Sequence, residues 1–124
     1  MTKIEAEDFS SKWMGAWNSH DLEAILDHYA EDIEFSSPFA TRIMGTALIS
    51  GIEALEEYFS RALERFPDLH FSHMNVFSGA QSVVLCYRSV DGLDAVETMV
   101  FNDCGLVHRV WAHYRETPDN APIG

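Results

Sequence analysis

The segment Trp17–Phe35, WNSHDLEAILDHYAEDIEF, predicts the order of the first elements of the fold. It indicates the end of one helix at Trp17, a tight corner, and a short second helix from Asp21 to Tyr29. Asp21 can cap this helix because its carboxylate can accept hydrogen bonds from the free N–H groups of the first turn. Apolar residues then recur at helical spacing, and a strand is expected from about Ile33.

Outward from this segment, the first half of the chain is mainly helical in pattern and the second half is made of strands. Helices are predicted at 5–17 and 21–29, and a third follows a possible cap at Ser50 and runs to about Phe66. A strand is predicted at 33–37 that Pro38 ends, because proline cannot donate to a central ladder. Alternating apolar residues predict strands at 69–78, 82–90, 94–102 and 106–115. Helices that cover one face of an antiparallel sheet define an α+β fold.

Three blocks of the sequence resemble the nuclear transport factor 2-like superfamily, in its SnoaL-like and ketosteroid-isomerase-like branch. They are Trp17–Phe35, Gly51–Phe59 (GIEALEEYF) and Phe101–Trp111 (FNDCGLVHRVW). The resemblance implies a cone, also described as a cystatin-like α+β roll, in which a curved antiparallel sheet and three helices enclose a pocket. We expect residues 1–115 to form a single domain and residues 116–124 to be a flexible tail.

Composition narrows the classes of function. The 124 residues include 20 acidic and 8 basic side chains, for a formal net charge of −12. Such a charge repels phosphate backbones and anionic lipids, so no nucleic acid or membrane partner is expected. The N-terminus has no apolar signal segment, which favours a cytoplasmic location. His70 and His73 would point to opposite faces of a strand, so a shared metal is not expected. The sequence has no G-x-G-x-x-G, P-loop or H-E-x-x-H motif, and no cofactor is expected.

The final hairpin supplies the candidate chemistry. If 103–105 is a three-residue loop with Gly105 in the left-handed conformation, the odd-numbered residues of both strands share one sheet face. Diagonal neighbours lie ~7–8 Å apart, so Glu97 would lie between Arg109 and His113. Glu97 could then exchange a proton with His113 as its relay, while Arg109 holds an anionic or carbonyl oxygen. The alternative is a structural ion pair in a wet cavity, since buried charges must be paired or hydrated.

The resemblance implies a different catalytic set from that of the ketosteroid isomerases. Their catalytic Asp, just before the Pro that ends the first strand, corresponds to Ser37, and their oxyanion-hole Tyr corresponds to Trp13. Their oxyanion-hole acid corresponds to Glu97, whereas the Asp of a common final-strand motif is replaced by Ala112. A serine hydroxyl is not a base near neutral pH without its own activator, so steroid isomerisation by that mechanism is not expected.

An aromatic pocket with a few polar groups suits a small hydrophobic molecule that carries oxygen. We expect it to be lined by Trp13, Trp17, Tyr29, Phe35, Ser37, Tyr58, Phe59, Met99 and Trp111. The family resemblance implies a cofactor-independent isomerase, hydrolase or polyketide-cyclase-like enzyme. The alternatives are a protein that binds such a ligand without turnover, and a protein-interaction module. The outer sheet face is apolar enough to be covered, so a homodimer through that face is expected.

Overall fold

The computed structural model describes residues 1–116, which form four α-helices, one 3₁₀ turn and a six-stranded sheet. The helices are α1 (Lys3–Asn18), α2 (Leu22–Leu26), α3 (Pro38–Met44) and α4 (Ile52–Arg65). The strands are β1 (Tyr29–Ser36), β2 (Leu48–Ser50), β3 (Ser72–Gly79), β4 (Ser82–Arg88), β5 (Asp94–Phe101) and β6 (Val107–Tyr114), and the 3₁₀ turn is Val90–Gly92. The predicted α+β fold is confirmed.

Side-chain caps fix where the first two helices begin. Thr2 and Glu5 form a capping box at the start of α1, and Asp21 accepts a hydrogen bond from the Ala24 backbone N–H at 3.1 Å. The predicted helix 21–29 is too long, because α2 ends at Leu26 and Tyr29 is already in β1. The backbone of Tyr29 pairs with Val107 of β6, so this residue belongs to the sheet and not to the helix.

Helix α3 was not predicted from the sequence. Pro38 ends β1, as expected, but it also occupies the first turn of a new helix, where proline is favoured because its missing N–H has no partner to lose. Ser37 caps this helix by accepting from the Phe39 backbone N–H at 3.2 Å. Gly45 ends it in the left-handed conformation, with φ of 82°. The described chain therefore has four α-helices where three were expected.

The sheet is curved, with the strand order β2-β1-β6-β5-β4-β3. Strands β1 and β6 are parallel and the other neighbours are antiparallel, so the sheet is mixed, whereas the sequence predicted an antiparallel one. The helices pack on its inner face. Along β4 and β5, the buried side chains of the inner face alternate with exposed or half-buried side chains of the outer face. This places Tyr87 and Glu97 on the inner face, beneath the helices.

The final hairpin differs from its predicted register by one residue. Phe101 faces Val107 and Gly105 is left-handed, as predicted, but Val100 then faces Arg109, so His108 is an extra residue. This β-bulge reverses which side chains of β6 point inward. Arg109, Trp111 and His113 therefore lie on the outer face, and the predicted cluster of Glu97 with Arg109 and His113 is wrong.

Two further points concern membrane-spanning helices and the predicted tail. None of the helices within residues 1–116 combines the length and apolar composition needed to cross a membrane. Residues 117–124, which make up most of the predicted flexible tail, lie outside the described residues.

Candidate functional site

A cavity of about 50 Å³ lies between the helices and the inner face of the sheet. Its walls come from the helices α1, α3 and α4 and from the strands β1, β4, β5 and β6. The segment before β3 and the segment after β4 also contribute. Most of them are aromatic rings or aliphatic side chains: Trp13, Trp17, Tyr29, Phe35, Phe39, Ile43, Tyr58, Phe59, Ala62, Phe66, Leu69, Phe71, Tyr87, Val90 and Tyr114. Two other residues, Ser89 and Glu97, complete the wall.

Glu97 is the acidic group of the cavity, and it is only 4% exposed. The Tyr87 hydroxyl donates a hydrogen bond to its Oε2 atom, while Oε1 is buried without a partner among the described residues. Burial raises the pKa of Glu97 to about 7, because the charged form loses its water, and the hydrogen bond from Tyr87 opposes this increase. The carboxyl group can therefore both give and take a proton near neutral pH.

All four tyrosines of the chain line this cavity around Glu97. Burial is the main cause that raises the pKa of each hydroxyl, and the Glu97 charge adds to it. The hydroxyls consequently stay protonated at neutral pH, so they are hydrogen-bond donors and not bases.

Two smaller networks hold three of these hydroxyls. Trp13 donates from Nε1 to the Tyr29 hydroxyl at 3.0 Å. The hydroxyl of Ser37, which is buried, lies near those of Tyr58 and Tyr114 and lowers the pKa of both against the effect of burial. Ser37 thus links helix α3 to the phenol groups of the cavity.

Trp17 contributes an unused donor to the cavity wall. Its ring packs edge-on against Phe59, with centroids 4.7 Å apart, and the residue is 6% exposed. Its Nε1 atom is close enough to the Tyr29 hydroxyl to lower that pKa, but it lies outside hydrogen-bond geometry and has no partner among the described residues. A buried N–H without a partner costs free energy that a ligand acceptor can recover.

A groove of about 420 Å³ on the surface adjoins the cavity. Phe66, Leu69, Ser89 and Val90 line both spaces, so these residues lie between them. The groove is also lined by Arg65, Arg88 and His70 and by the carboxylates Asp68 and Asp91, so charges of both signs are present.

The structure brings together seven of the twelve predicted site residues: Trp13, Trp17, Tyr29, Phe35, Tyr58, Phe59 and Glu97. Ser37 and Met99 are buried beside the cavity but do not line it. The other three, Arg109, Trp111 and His113, lie on the outer face. Arg109 forms an ion pair there with Glu34, and Trp111 is 44% exposed.

Sequence reasoning missed Tyr87 and Tyr114. Tyr87 follows Val83 and Leu85 at alternate positions of β4, and this period-two pattern could have placed it inside. The polarity of β6 was a similar signal, because Val110 and Ala112 alternate with Arg109 and His113.

Within residues 1–116, no group of three or more His, Cys, Asp or Glu side chains is arranged to hold a metal ion. The cavity wall carries one carboxyl group and no Lys, Arg, His or Cys among the described residues. The chemistry available inside is therefore one carboxyl group with neutral donors around it.

Comparisons with known proteins agree with the fold described above. The model of the SnoaL-like domain matches residues 11–115. A SnoaL-like protein of unknown function from Burkholderia thailandensis is 39% identical, with a TM-score of 0.88 over 94% of this chain and 99% of that one. No curated protein matches the chain.

More distant structures share the fold alone. AclR, a candidate hydroxylase from Streptomyces galilaeus, is 21% identical, with a TM-score of 0.73 over 99% of this chain and 98% of its own. A candidate ketosteroid isomerase from Kribbella flavida is 19% identical, with a TM-score of 0.69 over 91% of this chain and 79% of its own. Because the SnoaL-like domain model covers most of the chain, this protein belongs to the SnoaL-like family.

Proposed function

We propose that this protein is a cofactor-independent enzyme that moves protons on a small oxygen-bearing molecule, with Glu97 as the acid and base. The observation that supports this most is the free Oε1 atom of Glu97, which is buried in an aromatic cavity beside neutral donors. A pKa of about 7 gives the carboxyl group both protonation states at physiological pH. Isomerisation of a ketone or enone is the simplest reaction of this kind.

The residues divide the work as follows. Tyr29 accepts from Trp13, so its own proton is free to be donated to a ligand oxygen. Glu97 takes a proton from the carbon next to the carbonyl: the C–H bond breaks, an O–H bond forms on the carboxylate, and the charge moves to the ligand oxygen. Tyr29 stabilises that oxyanion, and Glu97 then returns the proton to the same or another carbon.

This mechanism can be tested without the natural substrate. Small uncharged ketones of a few heavy atoms, such as acetone and butanone, are incubated in D₂O, and ¹H NMR follows loss of the α-protons. We expect the wild-type protein to accelerate exchange of at least one of them. The variant Glu97→Gln should lose about 100-fold or more of that rate, since general acid–base groups contribute about 10²–10⁴-fold.

Glu56→Gln is the matched control, because Glu56 is exposed on α4 and does not line the cavity. It should exchange protons at the wild-type rate. Equal rates for the wild type and Glu97→Gln would end the proposed role of Glu97. If no ketone exchanges faster than in buffer, the second candidate is favoured.

That second candidate is a protein that binds a small hydrophobic ligand without turning it over. It is favoured by the composition of the cavity wall, where the described residues provide no second carboxyl or imidazole to relay a proton. Recovery of an unchanged ligand after prolonged incubation would support it.

We also propose that two copies associate through the outer sheet face. Phe77, Val96, Trp111 and Leu48 are 56%, 37%, 44% and 47% exposed on that face. Phe77 and Trp111 belong to one row of residues across β3 to β6, and Leu48 continues that row through β1 to β2. The Glu34–Arg109 pair in the same face is neutral, so it does not add to the repulsion between two chains of charge −12.

Trp111→Glu should therefore convert a dimer into a monomer. Light scattering after gel filtration should give twice the chain mass of 14.0 kDa for the wild type and the single chain mass for the variant. A buried, unpaired carboxylate in the centre of the face is too costly to keep. Ile4→Glu, at a position 79% exposed on α1, introduces the same charge and should stay dimeric. A monomeric wild type would contradict the proposal.

A further inference from the structure

The cavity contains a second unused polar atom besides Glu97 Oε1. Trp17 Nε1 is a donor, it is buried, and it has no partner among the described residues. The two atoms belong to different elements, α1 and β5, but both side chains line the same cavity. A ligand that supplies both missing hydrogen bonds must present an acceptor to the indole N–H. To Glu97 it must present a donor if the carboxyl is ionised, or a donor or a second acceptor if the carboxyl is protonated.

The charge of that ligand is restricted by the wall. Among the described residues, no Lys, Arg or His lines the cavity, and its one carboxyl group, that of Glu97, carries a negative charge when ionised. An anionic head group would lose its water and gain no cation in return, which is a large cost in an apolar site. It would also meet the Glu97 carboxylate whenever that group is ionised.

The size of the ligand is restricted by the volumes of the two adjoining spaces. The inner cavity of about 50 Å³ is about a third of the 150 Å³ cavity that accepts benzene, so it holds a head group of a few heavy atoms. The groove of about 420 Å³ beyond Phe66 and Val90 has room for the remainder of the molecule. Its mixed charges do not select either sign.

We propose that the site selects ligands with a small uncharged polar head, of the carboxamide or hydroxy-carbonyl class, which binds Trp17 Nε1 and Glu97 Oε1 while the rest of the molecule extends past Phe66 and Val90 toward the groove. Trp17 is then the residue that determines specificity for the head group. This inference rests on the site described under the proposed function but does not require turnover. A binding protein with no catalytic activity would show the same selectivity.

Three probes of similar shape test the selectivity. Benzamide has an acceptor and a donor, benzoate differs from it mainly by its negative charge, and toluene has neither polar group. Binding at neutral pH is followed by shifts of backbone amide resonances in ¹⁵N NMR titrations. We expect benzamide to bind at least about tenfold more tightly than benzoate, because a charge without a partner is costly to bury. Toluene should bind more weakly than benzamide.

Trp17→Phe tests the role of the indole. The ring remains apolar and aromatic, but the donor is lost, so benzamide should bind about fivefold more weakly, the usual worth of one hydrogen bond. Toluene binding should not change, which separates a lost hydrogen bond from a general disturbance of the cavity. Trp111→Phe, the same change on the outer face, should leave the binding of all three probes unaltered.

Three results would overturn the inference. They are benzoate binding as tightly as benzamide, Trp17→Phe weakening toluene as much as benzamide, and no probe shifting the cavity resonances. These outcomes are independent of proton exchange. If selectivity is found but Glu97→Gln retains the wild-type exchange rate, the proposed catalytic role fails and the inferred ligand class stands.

Discussion

The free energy of unfolding of Glu97→Gln, relative to that of the wild type, should increase by about 3 kcal/mol as the pH rises from 4 to 8. The pKa of Glu97 is raised from the ordinary glutamate range to about 7 in the folded protein, mainly because burial removes water from the carboxylate. Between these two pKa values the folded state binds more protons than the unfolded state. The contribution of Glu97 to the free energy of unfolding of the wild type therefore falls with rising pH, by about 1.4 kcal/mol per unit, and levels off above pH 7.

The amide of the Glu97→Gln variant does not titrate, so the difference between the two proteins isolates this one group. Urea unfolding at several pH values gives the two free energies, and any constant effect of the amide cancels between them. Glu56→Gln, an exposed change on α4, should show no comparable increase over the same range. A difference between Glu97→Gln and the wild type that does not vary with pH would mean that Glu97 titrates as an exposed carboxyl group.

Glu97 also illustrates what could be predicted from the sequence pattern. Alternation along β5 placed Glu97 on the inner face together with Met99 and Phe101, and the structure has all three buried. Trp13 and Trp17 were also placed correctly on the buried face of the first helix. These predictions held because long runs with one regular period depend little on their exact ends.

The predictions that were wrong concern places where a single residue interrupts the regular alternation of a strand. The bulge at His108 shifts β6 by one position and moves Arg109, Trp111 and His113 to the outer face. A period-two pattern cannot reveal an extra residue, because the register is set by backbone pairing with the neighbouring strand. Only the polarity of Arg109 and His113 favoured the outer face, and the charged groups were instead interpreted as a pocket cluster.

Helix α3 and Tyr29 illustrate a different limit. Pro38 both ends a strand and begins a helix, and only the cap formed by Ser37 and the left-handed Gly45 distinguish the second role. Tyr29 follows the helical spacing of α2, but parallel pairing with β6 takes it into the sheet. Local capping decides the first case, and in the second tertiary pairing overrides a short local pattern.

Trp13→Ala should cost about 3–5 kcal/mol of unfolding free energy, the usual loss when a buried Trp or Phe is cut to alanine. Trp13 is 1% exposed and stacks on Phe71, with centroids 5.6 Å apart. Its ring also meets Tyr87 edge-on at 5.2 Å, and its Nε1 donates to the Tyr29 hydroxyl at 3.0 Å. The variant would therefore leave a large cavity and remove the hydrogen bond to Tyr29. Trp111→Ala makes the same chemical change at a position 44% exposed, and at protein concentrations low enough for monomers it should cost much less.

A milder variant keeps the test informative if Trp13→Ala does not fold. Trp13→Phe retains an aromatic ring but loses the donor to Tyr29, and Tyr29→Phe removes the acceptor. Urea unfolding of both single variants and the double variant should give a coupling energy of about 1 kcal/mol, the net worth of a hydrogen bond. Coupling near zero would mean that Trp13 stabilises the cavity wall by packing alone. Equal costs for Trp13→Ala and Trp111→Ala would contradict the placement of Trp13 in the core, and with it the aromatic wall that keeps water from Glu97.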